Sequence, residues 1–163
     1  MSTKEVKVRL DKLTSDSMQE NTKGKIIEVK RLEDVEIENV KYTLGGVWER
    51  PSIGEYFKHE PKGVFYLMDL KLENKGKSPI QIPSLSFTAI DYSGYRFTQD
   101  IGSIFYLENY YPPYSIENLQ PLLPETYKLI FDVPPETKIT HLSVKNKNWV
   151  AVEELMIDLI PTK

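Results

Sequence analysis

The chain has 163 residues, of which 40% are hydrophobic and 28% charged, so it is long enough to enclose one core. Its 24 acidic residues outnumber its 21 basic ones, and the formal net charge of −3 has the wrong sign for non-specific binding to nucleic acid. It contains no cysteine, which excludes disulfides, thiolate metal sites and cysteine nucleophiles. Its apolar runs are short, so we expect neither a membrane span nor a signal peptide in the chain as given.

Alternating apolar residues predict several short strands in the first part of the chain. These positions are Val6, Val8, Leu10, Ile27, Val29, Val35, Ile37, Val40, Tyr42 and Leu44. The polar stretch 14–25 separates the first three from the rest, so they form either an edge strand or a loose tail. A change of apolar parity near Glu38 and Asn39 indicates a bulge or a bend. We therefore divide the chain into an N-terminal edge strand or linker, residues 1–24, and one domain, residues 25–163.

The clearest strand covers residues 64–74, where apolar side chains occupy every second position and charged ones fall between them later in the segment. It ends in the turn-forming run 74–77, and apolar residues resume at 80–82, which predicts a hairpin. A second hairpin is predicted over residues 85–97, around a turn at 91–94 that contains aspartate and glycine.

The last third of the chain has the same two-residue period. It predicts a strand over 127–133, which the proline pair 134–135 ends because proline cannot donate to a sheet ladder. A short strand is predicted around 142–144. Residues 150–160 would tolerate one helical turn, but the alternation favours a strand. Many short strands without a convincing helix predict an all-β, antiparallel β-sandwich.

Two long connections interrupt this pattern, and connections of this length are usually functional or disordered. The first, residues 45–62, contains Trp48 and His59. The second, residues 99–124, is rich in tyrosine around a proline pair. Its aromatic residues are Phe105, Tyr106, Tyr110, Tyr111 and Tyr114.

Four segments, 62–76, 87–95, 123–124 and 129–134, carry a family resemblance. They contain a strand ending in Asn74-x-Gly76, a hairpin Phe87-x-x-x-Asp91-x-x-Gly94 and a strand closing on Phe131-x-Val133-Pro134. In order and spacing, these motifs resemble the immunoglobulin-like domain of unknown function that is common in Gram-positive surface lipoproteins. That domain is sometimes labelled telomeric-repeat-binding-factor-like. The resemblance extends over residues 25–145.

The resemblance implies an immunoglobulin-like sandwich with no known catalytic residue, no cofactor and frequent placement outside the cytoplasmic membrane behind a lipobox. The lipobox cysteine is missing from this sequence. The chain is therefore either a trimmed mature region, with 4–25 as linker, or a member that stays soluble in the cytoplasm. Two features depart from the family: Glu125 follows Pro124 where members often have glycine, and the loop 99–119 is longer and richer in tyrosine.

Acid–base catalysis needs a base of matched pKa, and the imidazoles of this chain belong to His59 and His141. We interpret the first as a solvated loop residue and the second as a strand-entry residue, and we expect no enzymatic activity. The alternative is a hydrolase, which would need one imidazole in a concave pocket within about 3 Å of an acidic or hydroxyl partner. The acidic pairs 33–34 and 153–154 are expected to face solvent.

Other polar residues have simpler structural explanations than a ligand site. Asp91, Ser93 and Gly94 provide only a fragment of a calcium site, and a tight hairpin turn needs the same residues, so we expect no metal. Asp69 lies in an apolar strand on the face opposite the core, where we expect it to pair across the sheet with a lysine. The basic residues 23–31 are interrupted by acidic ones, so no nucleic-acid partner is expected.

The tyrosine-rich loop is the best candidate for a binding surface, because tyrosine offers a large rigid contact area with a polar tip. The proposed contact residues, for a protein or carbohydrate partner, are Trp48, Tyr106, Tyr110, Tyr111 and Tyr114. In the alternative interpretation, these rings fold back over an open end of the sandwich and extend its core. A third possibility is a purely structural spacer or assembly subunit, which would show an extensive apolar symmetric interface.

Overall fold

The structure of the chain, a computed structural model, describes residues 7–8, 24–54, 58–81, 85–107 and 118–159. The strands are β1 (Lys7–Val8), β2 (Lys25–Lys30), β3 (Val35–Ile37), β4 (Val40–Arg50), β5 (Val64–Asn74), β6 (Ile80–Gln81), β7 (Leu85–Asp91), β8 (Arg96–Thr98), β9 (Asn118–Leu119), β10 (Glu125–Val133), β11 (Ile139–Asn146) and β12 (Val152–Asp158). A 3₁₀ helix, Ile101–Tyr106, follows β8.

Two five-stranded sheets pack face to face, which confirms the predicted all-β sandwich. The first sheet has the strand order β1-β3-β4-β5-β10 and the second sheet has the order β2-β12-β11-β7-β8, while β6 and β9 form a small separate pair. Apolar side chains from alternate positions of both sheets form one continuous core. Its largest fully buried members include Tyr42, Phe131, Met68, Leu129 and Tyr127.

Most neighbouring strands are antiparallel, but one edge strand of each sheet is parallel to its neighbour. β1 runs parallel to β3 at the edge of the first sheet, and β2 runs parallel to β12 at the edge of the second. The division of the chain at residue 24 stays a prediction, because residues 9–23 lie outside those described.

The predicted hairpin after β5 is wrong. β6 pairs with β9, through Ile80 opposite Leu119, and not with β5. The physical reason is that both edges of β5 are already occupied, by β4 on one side and β10 on the other. The second predicted hairpin, β7 with β8, is confirmed.

The parity change at Glu38 and Asn39 is a tight hairpin turn between β3 and β4, not a bulge. Both residues have positive φ, 46° and 72°, and Ile37 pairs with Val40, so the loop has the geometry of a type I′ turn. The bulge lies further along β4, where the register shifts between Leu44 and Val47. Because β4 continues to Arg50, the first long connection begins later than predicted.

The asparagine of the first motif forms hydrogen bonds that join the end of β5, the loop after it and β9. Asn74 is fully buried, and its Nδ2 donates hydrogen bonds to the carbonyl oxygens of Ser78, at 2.7 Å, and Leu119, at 3.0 Å. Its Oδ1 accepts one from the backbone N–H of Gly76 at 2.8 Å. This side chain therefore fixes the loop after β5 and attaches it to β9.

The aspartate of the second motif shapes its hairpin turn, as predicted. Asp91 Oδ1 accepts hydrogen bonds from the backbone N–H groups of Ser93 and Tyr95, both at 2.9 Å. Gly94 takes the positive φ of 91° that such a turn requires.

The third motif attaches the loop before β5 to β10. The carboxylate of Asp132 accepts hydrogen bonds from the backbone N–H groups of Lys62, at 2.7 Å, and Gly63, at 3.0 Å. The backbone at Gly63 approaches β10 so closely that a β-carbon there would collide with the carbonyl oxygen of Val133. The family motifs thus hold loops onto strands.

Candidate functional site

The outer face of the first sheet carries a second apolar cluster, separate from the core. Ile53, Phe65, Leu67 and Ile130 are buried there, and Trp48 and Leu107 pack against them. Phe65 and Leu67 lie on the side of β5 that faces away from the core. The loop after β4 and the 3₁₀ region cover this part of the sheet.

Aromatic rings extend from this cluster toward solvent. We call the set Trp48, His59, Phe65 and Tyr106 the outer aromatic cluster. The His59 ring stacks on Phe65, with centroids 5.8 Å apart, and on Tyr106, with centroids 4.0 Å apart and planes 4° from parallel. Tyr106 is 44% exposed, so the stack begins against the sheet and ends at the surface.

Trp48 lies beside the bulge of β4. A β-carbon on Gly46 would overlap the Trp48 indole, so the ring lies directly over this glycine. The Nζ of Lys128 lies 5.1 Å from the indole centroid, within cation–π distance. The same Nζ lies 3.1 Å from Asp69 Oδ1, and the two residues are directly opposite in the β5–β10 register. The predicted lysine partner of Asp69 is therefore confirmed.

A short antiparallel bridge and a hydrogen-bond chain hold His59. Its backbone pairs with Ile53, through N···O distances of 3.0 and 2.7 Å. Its Nε2 lies 2.9 Å from Ser103 Oγ, which in turn lies 2.6 Å from Asp100 Oδ2. Ser103 is 2% exposed, and its hydrogen bonds to the half-buried His59 and Asp100 are part-buried.

The order of the three residues along these hydrogen bonds determines where the Ser103 hydroxyl proton goes. An ionised carboxylate only accepts hydrogen bonds, so Ser103 donates its proton to Asp100 and accepts one from His59 Nε2–H. In a catalytic triad, the imidazole lies between the hydroxyl and the carboxylate and accepts the hydroxyl proton. Here the serine lies in the middle. These two hydrogen bonds fix the orientation of the imidazole ring.

His141 is held in a similar way on the outer face of the second sheet. Thr140 Oγ1 lies 3.3 Å from the carbonyl oxygen of Ile90, to which it donates, and 2.8 Å from His141 Nδ1. The residue lines a cavity of about 310 Å³ together with Glu28, Lys30, Glu33 and Asp158.

A groove of about 710 Å³ adjoins the outer aromatic cluster through Asp100, which lines it and also binds Ser103. The remaining lining residues are Lys62, Gly63, Thr98, Gln99, Asp132, Val133, Pro134 and Pro135. The Oε1 atom of Gln99 is buried and accepts no hydrogen bond from the described residues. A ligand with an N–H or O–H group could satisfy it.

A polar network that the sequence did not indicate lies on the outer face of the second sheet. Glu154 was expected to face solvent, but it is only 5% exposed. Its carboxylate accepts hydrogen bonds from Ser143 and from Arg96 Nη1, the latter at 3.0 Å. Burial raises the pKa of Glu154, but the hydrogen bonds from Ser143 and Arg96 and the nearby charges of Arg96 and Lys145 outweigh it, so the net pKa is lowered.

The structure brings two of the predicted contact residues together, and the other three lie outside the described residues. Trp48 is half-buried and Tyr106 exposed, and both join the same cluster on one face of the first sheet. Tyr110, Tyr111 and Tyr114 lie outside the described residues. Sequence reasoning missed Asp100 and Ser103. The sequence feature that could have indicated them is the Asp-x-x-Ser spacing at the start of the 3₁₀ helix.

The described residues bring together no group of three histidine or acidic side chains that could hold a metal ion. In the same part of the chain, no helix is both long enough and apolar enough to cross a membrane.

Three solved structures share the fold. A conserved hypothetical protein from Bacillus anthracis aligns with a TM-score of 0.55 at 15% identity, over 73% of this chain and 89% of that one. An uncharacterised β-sandwich protein from Clostridium difficile aligns with a TM-score of 0.56 at 14% identity, over 86% and 99%. The secreted protein MPT63 from Mycobacterium tuberculosis aligns with a TM-score of 0.57 at 13% identity, over 81% and 96%.

No curated protein matches the chain in sequence. A family model described as a domain of unknown function, DUF4352, matches residues 32–152, which include all three motifs described above. The chain therefore belongs to the DUF4352 family.

Proposed function

We propose that the chain is a non-catalytic binding domain that acts outside the cytoplasmic membrane and contacts a protein or carbohydrate partner through the outer aromatic cluster. The observation that carries the proposal is the stack of Tyr106 on His59, which is partly exposed and held from beneath by Ser103 and Asp100. A ring held in this way loses little conformational entropy when a partner binds.

The surroundings of the stack support a binding role. Trp48 provides a second aromatic surface on the same sheet face, and the groove at Asp100 provides a concave region beside it. Aromatic rings next to a concavity with a few polar groups are typical of ligand sites. The tyrosine-rich segment directly follows Leu107 in the sequence, so Tyr110, Tyr111 and Tyr114 remain part of the proposed contact surface.

The directions of the two hydrogen bonds that link Asp100, Ser103 and His59 support the non-catalytic part of the proposal. A hydrolase would need His59 to accept the hydroxyl proton, which Ser103 directs to Asp100 instead.

The extracytoplasmic part of the proposal rests on the resemblance to domains of Gram-positive surface lipoproteins and on the description of one structural neighbour as a secreted protein. The cellular address can be tested by fractionating cells of the source organism and detecting the chain with an antibody. We expect it in the envelope or medium fraction. Recovery in the cytoplasmic fraction would contradict this part alone.

The contact surface can be tested by capture from an envelope extract with the immobilised chain, beside a glycan microarray. Tyr106→Ser should lose the partner that the native chain retains. Tyr95→Ser is the matched control, because Tyr95 is 69% exposed and lies in the β7–β8 turn. Protease treatment of the extract distinguishes a protein from a carbohydrate. Equal recovery by native chain and Tyr106→Ser would exclude the cluster as the contact surface.

A further inference from the structure

One end of the sandwich exposes several aliphatic side chains. Leu122, Leu123 and Val150 are 66%, 61% and 64% exposed, and Ile26 is 57% exposed. Single apolar residues on a protein surface are ordinary, but a group of them marks an interaction site.

Hydrogen bonds between loops place the two leucines next to the β3–β4 turn. The backbone N–H of Leu122 donates to the carbonyl oxygen of Asn74 at 2.9 Å, at the end of β5. The next residue, Lys75, donates from its N–H to the carbonyl oxygen of Asn39 at 2.6 Å. The leucine loop, the end of β5 and the β3–β4 turn are therefore neighbours.

The β3–β4 turn also forms a hydrogen bond to the second sheet. Glu38 Oε2 accepts a hydrogen bond from the N–H of Val150 at 3.1 Å, just before β12. Val152 then pairs with Lys25 at the start of β2, next to Ile26. We call this end of the molecule, with Ile26, Leu122, Leu123 and Val150 exposed, the leucine end.

Leu122 occupies a backbone conformation that a leucine rarely adopts. Its φ is 62°, and the N–H of Leu123 donates to the carbonyl oxygen of Gln120 at 3.4 Å, with Pro121 between them. This is the pattern of a type II turn, in which glycine or asparagine is favoured at the third position. The leucine costs conformational energy there and buries little of its side chain, so the fold alone does not account for it.

Lysines surround these aliphatic side chains. Lys25, Lys75, Lys77 and Lys147 are exposed at this end. Of the acidic residues nearby, Glu38 binds the N–H of Val150, and Glu73 pairs with Lys41 and Lys75. Glu125 and Glu153 face solvent. Because Lys75 pairs with Glu73, the solvent-facing charges that remain are three lysines, at 25, 77 and 147, and two carboxylates, at 125 and 153.

We propose that the leucine end binds the surface of an anionic lipid bilayer. The aliphatic side chains enter the boundary between headgroups and acyl chains, while the lysines contact the lipid phosphates. An anionic bilayer is the favoured occupant because the exposed aliphatic side chains, which line neither cavity described above, are accompanied by an excess of solvent-facing lysines. This interaction is independent of the proposed function of the outer aromatic cluster.

The molecule contains a matched control for Leu122. Leu32 also has positive φ, 74°, in a turn where the N–H of Glu33 donates to the carbonyl oxygen of Lys30 at 3.0 Å. Leu32 is 49% exposed, and its turn follows Lys30, at the opposite end of β2 from Lys25. Replacing either leucine with glycine relieves the same backbone cost, but only one of them changes the leucine end.

The test is co-sedimentation of the chain with vesicles of phosphatidylcholine alone or of phosphatidylcholine and phosphatidylglycerol in equal parts. The native chain should bind the second kind, and less at high salt. Leu122→Gly should bind about tenfold more weakly, as expected for the loss of one apolar side chain from the interface. Its Tm should equal or exceed that of the native chain, which excludes misfolding as the cause.

The Tm of Leu32→Gly should also equal or exceed that of the native chain, and this variant should bind vesicles like the native chain. Lys77→Glu combined with Lys147→Glu should reduce binding to the phosphatidylglycerol vesicles. Failure of the native chain to bind either kind of vesicle would overturn the proposal and leave a protein as the partner of this end. Equal binding by Leu122→Gly and the native chain would also overturn it.

Discussion

The imidazole of His59 and the phenol ring of Tyr106 are stacked, with centroids 4.0 Å apart and planes within 4° of parallel. His59 lies in the loop after β4 and Tyr106 at the end of the 3₁₀ helix, and Ser103 of the same helix accepts a hydrogen bond from His59 and donates one to Asp100. The loop after β4 is thereby attached to the 3₁₀ helix. The exposed tyrosine is thus a rigid feature of the surface.

Ser103→Ala tests how much this attachment stabilises the fold. The substitution leaves the half-buried Asp100 carboxylate and the imidazole N–H without their partner, which costs about 1 kcal/mol. Urea unfolding measures the change in free energy. Ser93→Ala is the control, since the exposed Ser93 engages the β7–β8 turn through its backbone N–H, which alanine retains. Similar free energies for the two variants would show that the hydrogen-bond chain contributes nothing.

Asn74→Ala tests the structural role of the first family motif. The substitution leaves the carbonyl oxygens of Ser78 and Leu119 and the N–H of Gly76 without their bonds, in a fully buried place. We expect a loss of about 3 kcal/mol in urea unfolding. Asn146→Ala removes a comparable surface turn contact, to the N–H of Asn148, and should cost less than about 1 kcal/mol. Equal losses would contradict the role assigned to Asn74.

Gly46→Ala tests the position of the Trp48 indole. A β-carbon at Gly46 would overlap that ring, whereas a β-carbon at Gly45 would lie 3.7 Å from the carbonyl oxygen of Asp69, an ordinary contact. Gly46→Ala should therefore displace the indole and shift its N–H resonance in NMR spectra, while Gly45→Ala should not. An unshifted Trp48 resonance in Gly46→Ala would show that the ring does not lie over the glycine.

The lowered pKa of Glu154 predicts a particular dependence of stability on pH. A group whose folded pKa lies below its unfolded value contributes stability that is fully present above the unfolded pKa, about 4.3 for glutamate. That stability is lost as the pH falls through the folded pKa. The native chain should thus lose more stability on acidification than Glu154→Gln, measured by urea unfolding over a pH series. Glu153→Gln, an exposed neighbour, should behave like the native chain; identical pH profiles for all three proteins would contradict the assignment.

The fold could be predicted from the sequence because a two-residue period is a local signal. It located β5, β10 and the β7–β8 hairpin. The partner of β6 could not be found in this way, since its pairing with Leu119 depends on which edges other strands already occupy. Pairing between distant segments leaves no local pattern.

The candidate site could be predicted only in part. Trp48 and Tyr106 were identified by residue type, and both lie on the outer face of the first sheet. The alternation in β5 predicted one apolar face and did not indicate that Phe65 and Leu67, on the other face, are also buried in a second apolar cluster. The contact between His59 and Ser103, 44 residues apart, appears only after the loops are folded.

The three family motifs explain why membership predicts the fold and not the ligand. Asn74, Asp91 and Asp132 each bind backbone groups of neighbouring loops, so their hydrogen bonds are used within the domain. The outer aromatic cluster uses other residues. We therefore expect the residues that recognise the partner to lie outside the three family motifs.

The central claim is that the outer aromatic cluster contacts the partner, and an NMR titration tests it most directly. The partner recovered by capture is added to the isotope-labelled chain, and the backbone and indole resonances are followed. The account predicts that the perturbed resonances are those of Trp48, His59, Ser103 and Tyr106. Perturbations confined to the β7–β8 turn or to the leucine end, with these four residues unchanged, would contradict it.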